Sequence, residues 1–320
     1  MTFDITTFGE PLLRLSVPEG VRLQAAAQLD VHPAGAETNI ATLMARLGYR
    51  SAFHSILPDN PLGRLVGDHL RQAGVNLDGL IWQDEGRVGT FFVEFAVPPR
   101  AIQVIYDRAN SCVTRMTPDM LHWDQFLDTK LVHLTGITPA VSPSCAETIQ
   151  IIIQRARAAN IPISFDINYR QKLWSESDAR EWLTPVIQGV DLLFCGQGDA
   201  RRVFGIDGTP EQIITALAKY SSAKAVVVSL SNEGVIGWDG TRILQQPAVP
   251  VEVIDRIGAG DALACGVLHG WLNGDLALGL RYGVTLAALA LSQHGDAVIT
   301  TREEVEALTT STHVLGTVQR

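Results

Sequence analysis

The feature that most constrains the fold is a regular alternation of apolar runs and helix-length segments from about residue 130 onward. Apolar runs of four to eight residues predict strands buried on both faces. They are Lys130–Ile137, Ile161–Ile167, Asp191–Cys195 and Lys224–Leu230. Helical spacing of apolar residues predicts helices between them. They are Ser144–Ala159, Ser177–Gln188 and Pro210–Ser221. This alternation is typical of an α/β fold whose mostly parallel central sheet is flanked by helices.

The first third of the chain has a different pattern, which predicts a second, small and more exposed sheet. Its candidate strands are Leu12–Leu15, Gln28–His32, Thr90–Val97 and Ala101–Tyr106, with a turn at Pro98-Pro99. Helical stretches at Thr38–Leu47 and Pro61–Ala73 separate them, so this sheet is inserted into the core. We therefore assign residues 1–9, 34–88 and 113–320 to the core and residues 10–33 and 89–112 to a β lid. Two helices rich in small residues after residue 258, and a third near Arg302–Leu308, complete the chain.

Charge and apolar content exclude several classes of function. The formal net charge is -9, and no run of Lys or Arg could follow a phosphate backbone, so nucleic acid is not an expected partner. The late apolar stretch Val284–Leu291 is far shorter than the roughly 20 residues that cross a bilayer, so no membrane partner is expected either. The amino terminus lacks the pattern of a signal peptide, and four scattered cysteines suit a reducing compartment. We expect a cytoplasmic protein.

Four common enzyme motifs are absent from the sequence. No Gly is followed by Lys, as a Walker-type phosphate loop requires, and Gly-x-Gly-x-x-Gly, Gly-x-Ser-x-Gly and His-Glu-x-x-His do not occur. These absences argue against dehydrogenases, serine hydrolases and zinc proteases.

The segment from Asp255 to Gly266 has the pattern of an anion-binding helix start. Glycines at 258 and 260 let the backbone approach a ligand, and the first turn of the following helix offers unpaired N–H groups. Asp261 places a carboxylate at the same position, where it could accept a proton from an alcohol. Phosphoryl transfer to a hydroxyl fits this combination. The four residues Gly258-Ala259-Gly260-Asp261 could also form only a turn and a helix cap.

Further motifs in the same order make the chain resemble the PfkB (ribokinase-like) sugar kinases over essentially its whole length. Gly258-Ala259-Gly260-Asp261, preceded by Asp255, is similar to the carboxy-terminal signature of that family. The segment Ala34–Asn39 resembles the sugar-binding amino-terminal signature, with Ala34 in place of its first Gly. Three further segments resemble the 2-keto-3-deoxygluconate kinases within the family. They are Gly9–Leu12, Thr135–Ala140 and Asp166–Ser175.

This resemblance implies a ribokinase-like fold with a small inserted β-sheet lid, and it implies roles for individual residues. Asp261 would be the general base, and the amides of Gly258, Ala259 and Gly260 would hold the transferred phosphoryl group. The implied sugar contacts are Gly35, Asn39, Phe91, Tyr106, Arg108, Arg170 and Asp296. The implied nucleotide contacts are Asn168, Arg170, Ser229, Ser231, Gly234, Gly258 and Gly260. The implied metal contacts are Asp199 and Asp255.

The resemblance implies ATP and Mg²⁺ as cofactors and leaves open a monovalent cation near Asp255. The planar guanidinium of Arg108 or Arg170 suits the carboxylate of a sugar acid. Two departures weaken the nucleotide side: Gly196-Gln197-Gly198-Asp199 replaces Asn-x-x-Glu, and the loop from Ser229 keeps only its later glycine at 234. Phe91 stands where the subgroup often has a second tyrosine.

The sequence therefore predicts an ATP-dependent kinase that phosphorylates a primary hydroxyl of a small sugar acid. The first candidate is 2-keto-3-deoxygluconate, giving its 6-phosphate. Two alternatives stay open at this point: a neutral-sugar kinase of the fructokinase or ribokinase type, and a non-catalytic protein that binds sugar acids on the kinase scaffold. The resemblance also implies a homodimer or larger homo-oligomer, because relatives often pair through the small sheet, whose exposed strands would otherwise favour unwanted association.

Overall fold

The computed structural model describes residues 1–96 and 99–310. Within them, thirteen strands and ten α-helices are found. The strands are β1 (Ile5–Phe8), β2 (Leu12–Ser16), β3 (Asp30–Ala34), β4 (Ser51–Pro58), β5 (Leu80–Gln83), β6 (Gly89–Glu94), β7 (Gln103–Asp107), β8 (Val132–Thr135), β9 (Ile163–Asp166), β10 (Leu192–Gly196), β11 (Val226–Ser229), β12 (Val235–Trp238) and β13 (Ile243–Gln246). The helices are α1 (Ala36–Arg46), α2 (Pro61–Gln72), α3 (Trp123–Phe126), α4 (Pro143–Ala158), α5 (Glu176–Val186), α6 (Gln197–Phe204), α7 (Pro210–Ser221), α8 (Ala259–Leu272), α9 (Leu276–Leu291) and α10 (Arg302–Thr310).

The strands form two sheets. The larger sheet has the order β13-β12-β11-β10-β9-β8-β1-β4-β5, and neighbouring strands are parallel except in the β11-β12-β13 edge, which is antiparallel. The smaller sheet has the order β3-β2-β6-β7, in which β2 and β6 are parallel although they come from separate parts of the chain. This architecture confirms the predicted ribokinase-like α/β fold with a second small sheet.

Five of the described helices, α2, α4, α5, α7 and α9, begin at a residue whose side chain caps them. Ser142 accepts a hydrogen bond from the Cys145 amide at 3.1 Å and Pro143 follows it, so α4 starts there. Thr209 and Gln212 form a reciprocal capping box at the start of α7. The apolar faces of these helices pack against the central strands, which are themselves almost fully buried.

Glycines bring α8 and α9 into direct backbone contact. A Cβ atom at Gly266 would lie 2.3 Å from the Gly283 nitrogen, and one at Gly270 would lie 2.2 Å from the Gly279 nitrogen. Such distances leave no room for a side chain, so the two helix axes lie closer than larger residues would allow. The position of α8 relative to the core is therefore fixed by residues that lack side chains.

The predicted segments fall at the observed elements with shifts of a few residues at their ends. The predicted strand Thr90–Val97 corresponds to β6, while its last residue Val97 and the turn residue Pro98 lie outside the described residues. The pattern did not predict β1, β4, β5, α6 or the β12–β13 hairpin. The assignment of residue ranges to a core and a lid stays a prediction.

Two further expectations bear on the environment of the chain. All four cysteines are buried and free of disulfides. In residues 1–96 and 99–310, none of the helices has the length and apolar character needed to span a membrane. The cytoplasmic location stays a prediction.

Candidate active site

A cavity of about 460 Å³ lies between the carboxyl ends of the central strands and the small sheet. Asp166, Gly196 and Ser229 are the last residues of β9, β10 and β11, and all three line it. Phe91 and Tyr106 line it from the small sheet. The carboxyl ends of parallel strands meet at one edge of a sheet, where α/β proteins bind their ligands. The topology therefore places the predicted site residues around one space.

The start of α8 has the backbone geometry that the predicted anion cradle requires. Gly258 caps the helix at φ +89°, and a Cβ atom there would lie 2.3 Å from the Asp296 carbonyl oxygen. Gly260 lines the cavity, and a Cβ atom there would meet no other atom within 4 Å. The N–H groups of a first helical turn have no acceptor within their own helix. They and the helix dipole favour an anion at this end of the cavity.

Asp261 lies in the first turn of α8 and lines the cavity. Burial raises the pKa of its carboxyl to about 6, while the hydrogen bond from Asn39 and the charge of Arg170 oppose that rise. The Asn39 Nδ2 atom donates to Asp261 Oδ2 at 2.7 Å. A carboxyl with this pKa is mostly ionised at neutral pH and still basic enough to accept a proton.

Two further carboxyl groups, those of Asp166 and Asp199, also line this part of the cavity. Burial, together with the charges of Asp261 and Asp199, raises the pKa of Asp166 to about 8. Asp199 accepts hydrogen bonds from the Tyr169 amide at 3.2 Å and from Arg202 at 2.7 Å. Such a group of acids suits a divalent cation shared with phosphate oxygens. No cluster of three metal-ligating side chains occurs within the described ranges, so the protein alone provides no complete metal cage.

Aromatic and cationic side chains also line the cavity. The rings of Phe91 and Tyr106 lie 5.6 Å apart on adjacent strands of the small sheet. Arg108 is buried and paired with Glu10, which its Nε atom contacts at 2.7 Å. Arg170 is exposed and lines the same cavity, so it offers a guanidinium that solvent can reach.

The cavity brings together most of the residues implied by the resemblance. Those lining it are Gly35, Asn39, Phe91, Tyr106, Arg108, Asn168, Arg170, Asp199, Ser229, Gly258, Gly260, Asp261 and Asp296. Ala259 is the first residue of α8, between two lining glycines. Ser231 and Gly234 lie in the turn after β11 and are outside this lining. Asp255 is also outside it, buried and ion-paired with Arg14.

Three acidic residues of the cavity were missed at the level of sequence: Glu10, Glu37 and Asp166. Glu37 is almost fully buried and accepts hydrogen bonds at 2.7 Å from the hydroxyls of both Thr135 and Thr138. Burial raises its pKa despite these bonds. A signal for each was present, because Glu10 and Asp166 lie in the quoted motifs and Glu37 lies within the amino-terminal signature.

Comparisons with known proteins show that the chain is similar to carbohydrate kinases. The sequence model that represents the pfkB family of carbohydrate kinases matches residues 4–303. A 2-dehydro-3-deoxygalactonokinase of Haloferax volcanii is 39% identical over 307 residues, which is 96% of each chain. A 2-dehydro-3-deoxygluconokinase of Bacillus subtilis is 31% identical over 300 residues, which is 92% of each chain.

The fold is also similar to solved structures. The crystal structure of a 2-dehydro-3-deoxygluconokinase of Thermotoga maritima superposes with a TM-score of 0.91 at 28% identity. The match covers 97% of this chain and 100% of that one. Both sheets and the cavity between them therefore lie within the matched region.

Proposed function

The chain belongs to the pfkB family of carbohydrate kinases, and we propose that it phosphorylates the primary hydroxyl of 2-keto-3-deoxygluconate with ATP. The observation that carries this proposal is the position of Asp261. Its carboxyl group lies in the first turn of α8, in the cavity and beside the unpaired amides of that turn. A base and an anion cradle at one point are what phosphoryl transfer to an alcohol requires of a protein.

In the proposed reaction, ionised Asp261 accepts the proton of the primary hydroxyl as its oxygen bonds to the γ-phosphorus. The bond between that phosphorus and the leaving oxygen of ADP breaks. The amides of Gly258, Ala259 and Gly260 donate to the transferred phosphoryl oxygens, where charge is concentrated. Asn39 keeps the carboxylate of Asp261 oriented through its 2.7 Å hydrogen bond.

We assign the nucleotide phosphates and Mg²⁺ to the part of the cavity that Asp166 and Asp199 line. Asp199, with Asp166 beside it, would hold the hydrated ion, which offsets the negative charge of the phosphates when bound. The raised pKa of Asp166, which comes first from burial and then from the charges of Asp261 and Asp199, shows that a cation placed here would stabilise its ionised form. Asn168 and Arg170 would contact the phosphates, and Ser229, Ser231 and Gly234 would contact the rest of the nucleotide.

We assign the sugar acid to the end of the cavity that the small sheet covers. Arg170 would pair with the carboxylate, since its guanidinium is exposed, whereas that of Arg108 already contacts Glu10. Phe91 and Tyr106 would cover the carbon chain. Gly35, Asn39 and Asp296 lie at the cavity wall and would contact hydroxyl groups. Water excluded by this cover could not compete for the phosphoryl group.

Replacement of Asp261 by asparagine tests the proposal. We expect turnover to fall by about a hundredfold or more, since general base catalysis contributes about 10² to 10⁴. Binding of the sugar acid, measured by calorimetry, should remain. Asp275→Asn is the matched control because asparagine also caps a helix well, and Asp275 caps α9 away from the cavity. Near-normal ADP production by the Asp261 variant would remove the assigned base.

A second substrate is 2-keto-3-deoxygalactonate, which differs from the first in the configuration of one hydroxyl group. The 39% identity to a relative named 2-dehydro-3-deoxygalactonokinase favours it. The ratio of kcat/KM for the two epimers decides between them. A coupled ADP-release screen that also contains fructose and ribose tests the neutral-sugar alternative. Because Arg170 would also contact the phosphates, Arg170→Ala should impair turnover of every substrate, but it should raise KM more for acid substrates than for neutral ones.

We also propose that the protein forms a homodimer through the outer face of the small sheet. Val31, Leu15, Phe92 and Ile105 form one cross-strand row on the face opposite Arg14. Val31 and Ile105 are 45% and 50% exposed. Ile105→Glu should convert the dimer to a monomer in light scattering, whereas Ile243→Glu on β13 should not. A monomeric wild-type protein would contradict this proposal.

A further inference from the structure

A single buried arginine connects the small sheet to the anion cradle. Arg14 lies on β2, and its side chain is fully buried. Its Nη2 atom contacts Asp255 Oδ2 at 2.5 Å, and its Nη1 atom contacts Asp296 Oδ1 at 2.8 Å. The two carboxylates are 41 residues apart in sequence, so one guanidinium joins three separate segments of the chain.

Both partners of Arg14 belong to segments that shape the start of α8. Asp255 lies three residues before the helix cap, Gly258, and its Oδ1 atom accepts the Ile257 amide at 3.0 Å. The backbone of Asp296 packs directly on Gly258, since a Cβ atom there would lie 2.3 Å from the Asp296 carbonyl oxygen. The position of Arg14 therefore determines the relative position of the two segments around the cradle.

The environment of Asp255 does not fit a separate monovalent cation. Its Oδ2 atom accepts both Arg14 and the Gly295 amide, the latter at 3.2 Å, while Oδ1 accepts the Ile257 amide. The positive charge that a cation would bring is already present in the guanidinium. An additional cation would also lie close to that guanidinium in a buried region, where repulsion between like charges is weakly screened.

We infer that Arg14 is a built-in cation that positions the phosphate cradle and makes the kinase independent of monovalent cations. This inference rests on the proposed function, because the cradle acts in catalysis only if Asp261 and its neighbouring amides do. Arg14 does not line the cavity, so it acts as a positioning residue. In the small sheet it pairs in register with Phe91, which does line the cavity.

The test compares wild type with Arg14→Gln in tetramethylammonium buffer, with K⁺ or guanidinium added at constant ionic strength. Wild-type kcat should change by less than about twofold, as expected where Asp255 is already neutralised. The variant should lose about tenfold to a hundredfold in kcat, the usual cost of removing an orienting partner. We expect a smaller change in KM for the sugar acid, and K⁺ or guanidinium should restore much of the lost rate.

A matched control is Arg22→Gln, which removes an arginine that pairs with Glu94 of the small sheet. Its rate should neither fall nor respond to guanidinium. Strong activation of the wild type by K⁺ would overturn the inference. So would an Arg14 variant whose melting temperature falls but whose rate is unchanged, or a lost rate that neither cation restores, because a merely structural ion pair predicts those results.

Two measurements keep the test decisive if Arg14→Gln does not fold. Arg14→Lys retains the charge but replaces the fork that reaches two carboxylates by a single ammonium. It should fold, with reduced kcat and no response to K⁺, and activation of this variant by K⁺ would contradict the inference. The melting temperature of ligand-free wild type should be the same in K⁺ and tetramethylammonium. This measurement needs no substrate, so failure of the proposed function is separable from failure of the inference.

Discussion

Removal of the Asn39 side chain should move the acid limb of the pH profile. Asn39 donates to Asp261 at 2.7 Å and thereby stabilises the ionised base. A hydrogen bond to a charged group contributes about 1.5–3 kcal/mol, which corresponds to roughly one to two pKa units. The pKa of Asp261, about 6 in the intact protein, should therefore rise in Asn39→Ala. Activity falls as pH falls through this pKa, because only the ionised carboxylate accepts a proton.

The assay is kcat/KM for the sugar acid, measured by coupled ADP release from about pH 5 to about pH 9, since this parameter reports groups of the free enzyme. At pH 6 the variant should be severely impaired, and much of the loss should be recovered at high pH. Asp296, with a pKa of about 6, and Asp166, with a pKa of about 8, also titrate in this range. Because Asn39 donates to Asp261, the largest difference between the two profiles should come from that group, and Asp166 and Asp296 should respond only through its charge.

Asn273→Ala, at the opposite end of α8, is the control and should leave the profile unchanged. A uniform loss for Asn39→Ala at every pH, with no movement of the acid limb, would refute the reasoning. Asn39 would then act only on the sugar, or a different group would be the base.

Three further predictions concern stability and the cradle. The raised pKa of Asp166 means that the folded protein binds a proton that the unfolded chain releases, so the melting temperature should fall as pH rises from about 4 through about 8. Asp261 and Asp296, with pKa values raised to about 6, and Glu37 contribute in the same direction, so Asp166→Asn should weaken this dependence, most clearly above about pH 6. Arg108→Met leaves the buried Glu10 unpaired and should cost roughly 3–5 kcal/mol in denaturant unfolding, whereas adding Glu10→Gln should recover part of it. Gly258→Ala should lower the melting temperature through backbone strain and contact with a carbonyl oxygen, whereas Gly260→Ala should fold normally and lose activity, because its methyl group projects into the cavity. Equal effects of the two glycine substitutions would contradict this account.

The sequence predicted best the features that depend on neighbouring residues. The anion cradle was predictable because two glycines and Asp261 lie within four positions, and helix starts follow local rules. The central strands were predictable because burial on both faces makes them continuously apolar. Strand β4 was missed because the fully buried segment Ser51–Pro58 contains serine, histidine and proline, which interrupt that pattern.

The partners of buried charges were not predictable, because they depend on contacts between distant segments. The Arg14–Asp255 pair spans 241 positions and requires the small sheet to be placed on the core. Arg108 is a second example. It was predicted to contact the sugar, and its ion pair with Glu10, 98 positions away, was not predicted. The resemblance identified many of the residues that line the cavity, but it did not show which of them bind one another.

The glycine contacts between α8 and α9 have a consequence for how this protein can change. Gly270 is nine residues from Asp261, roughly 14 Å along the helix, and a methyl group at that position would displace the backbone that carries the base. Random mutagenesis should therefore recover inactive variants at Gly266, Gly270 or Gly279 that retain every residue of the cavity. Substrate range, in contrast, can diversify through those residues of the small sheet that face the cavity, such as Phe91 and Tyr106, since they are not part of the Arg14 contacts that position the start of α8.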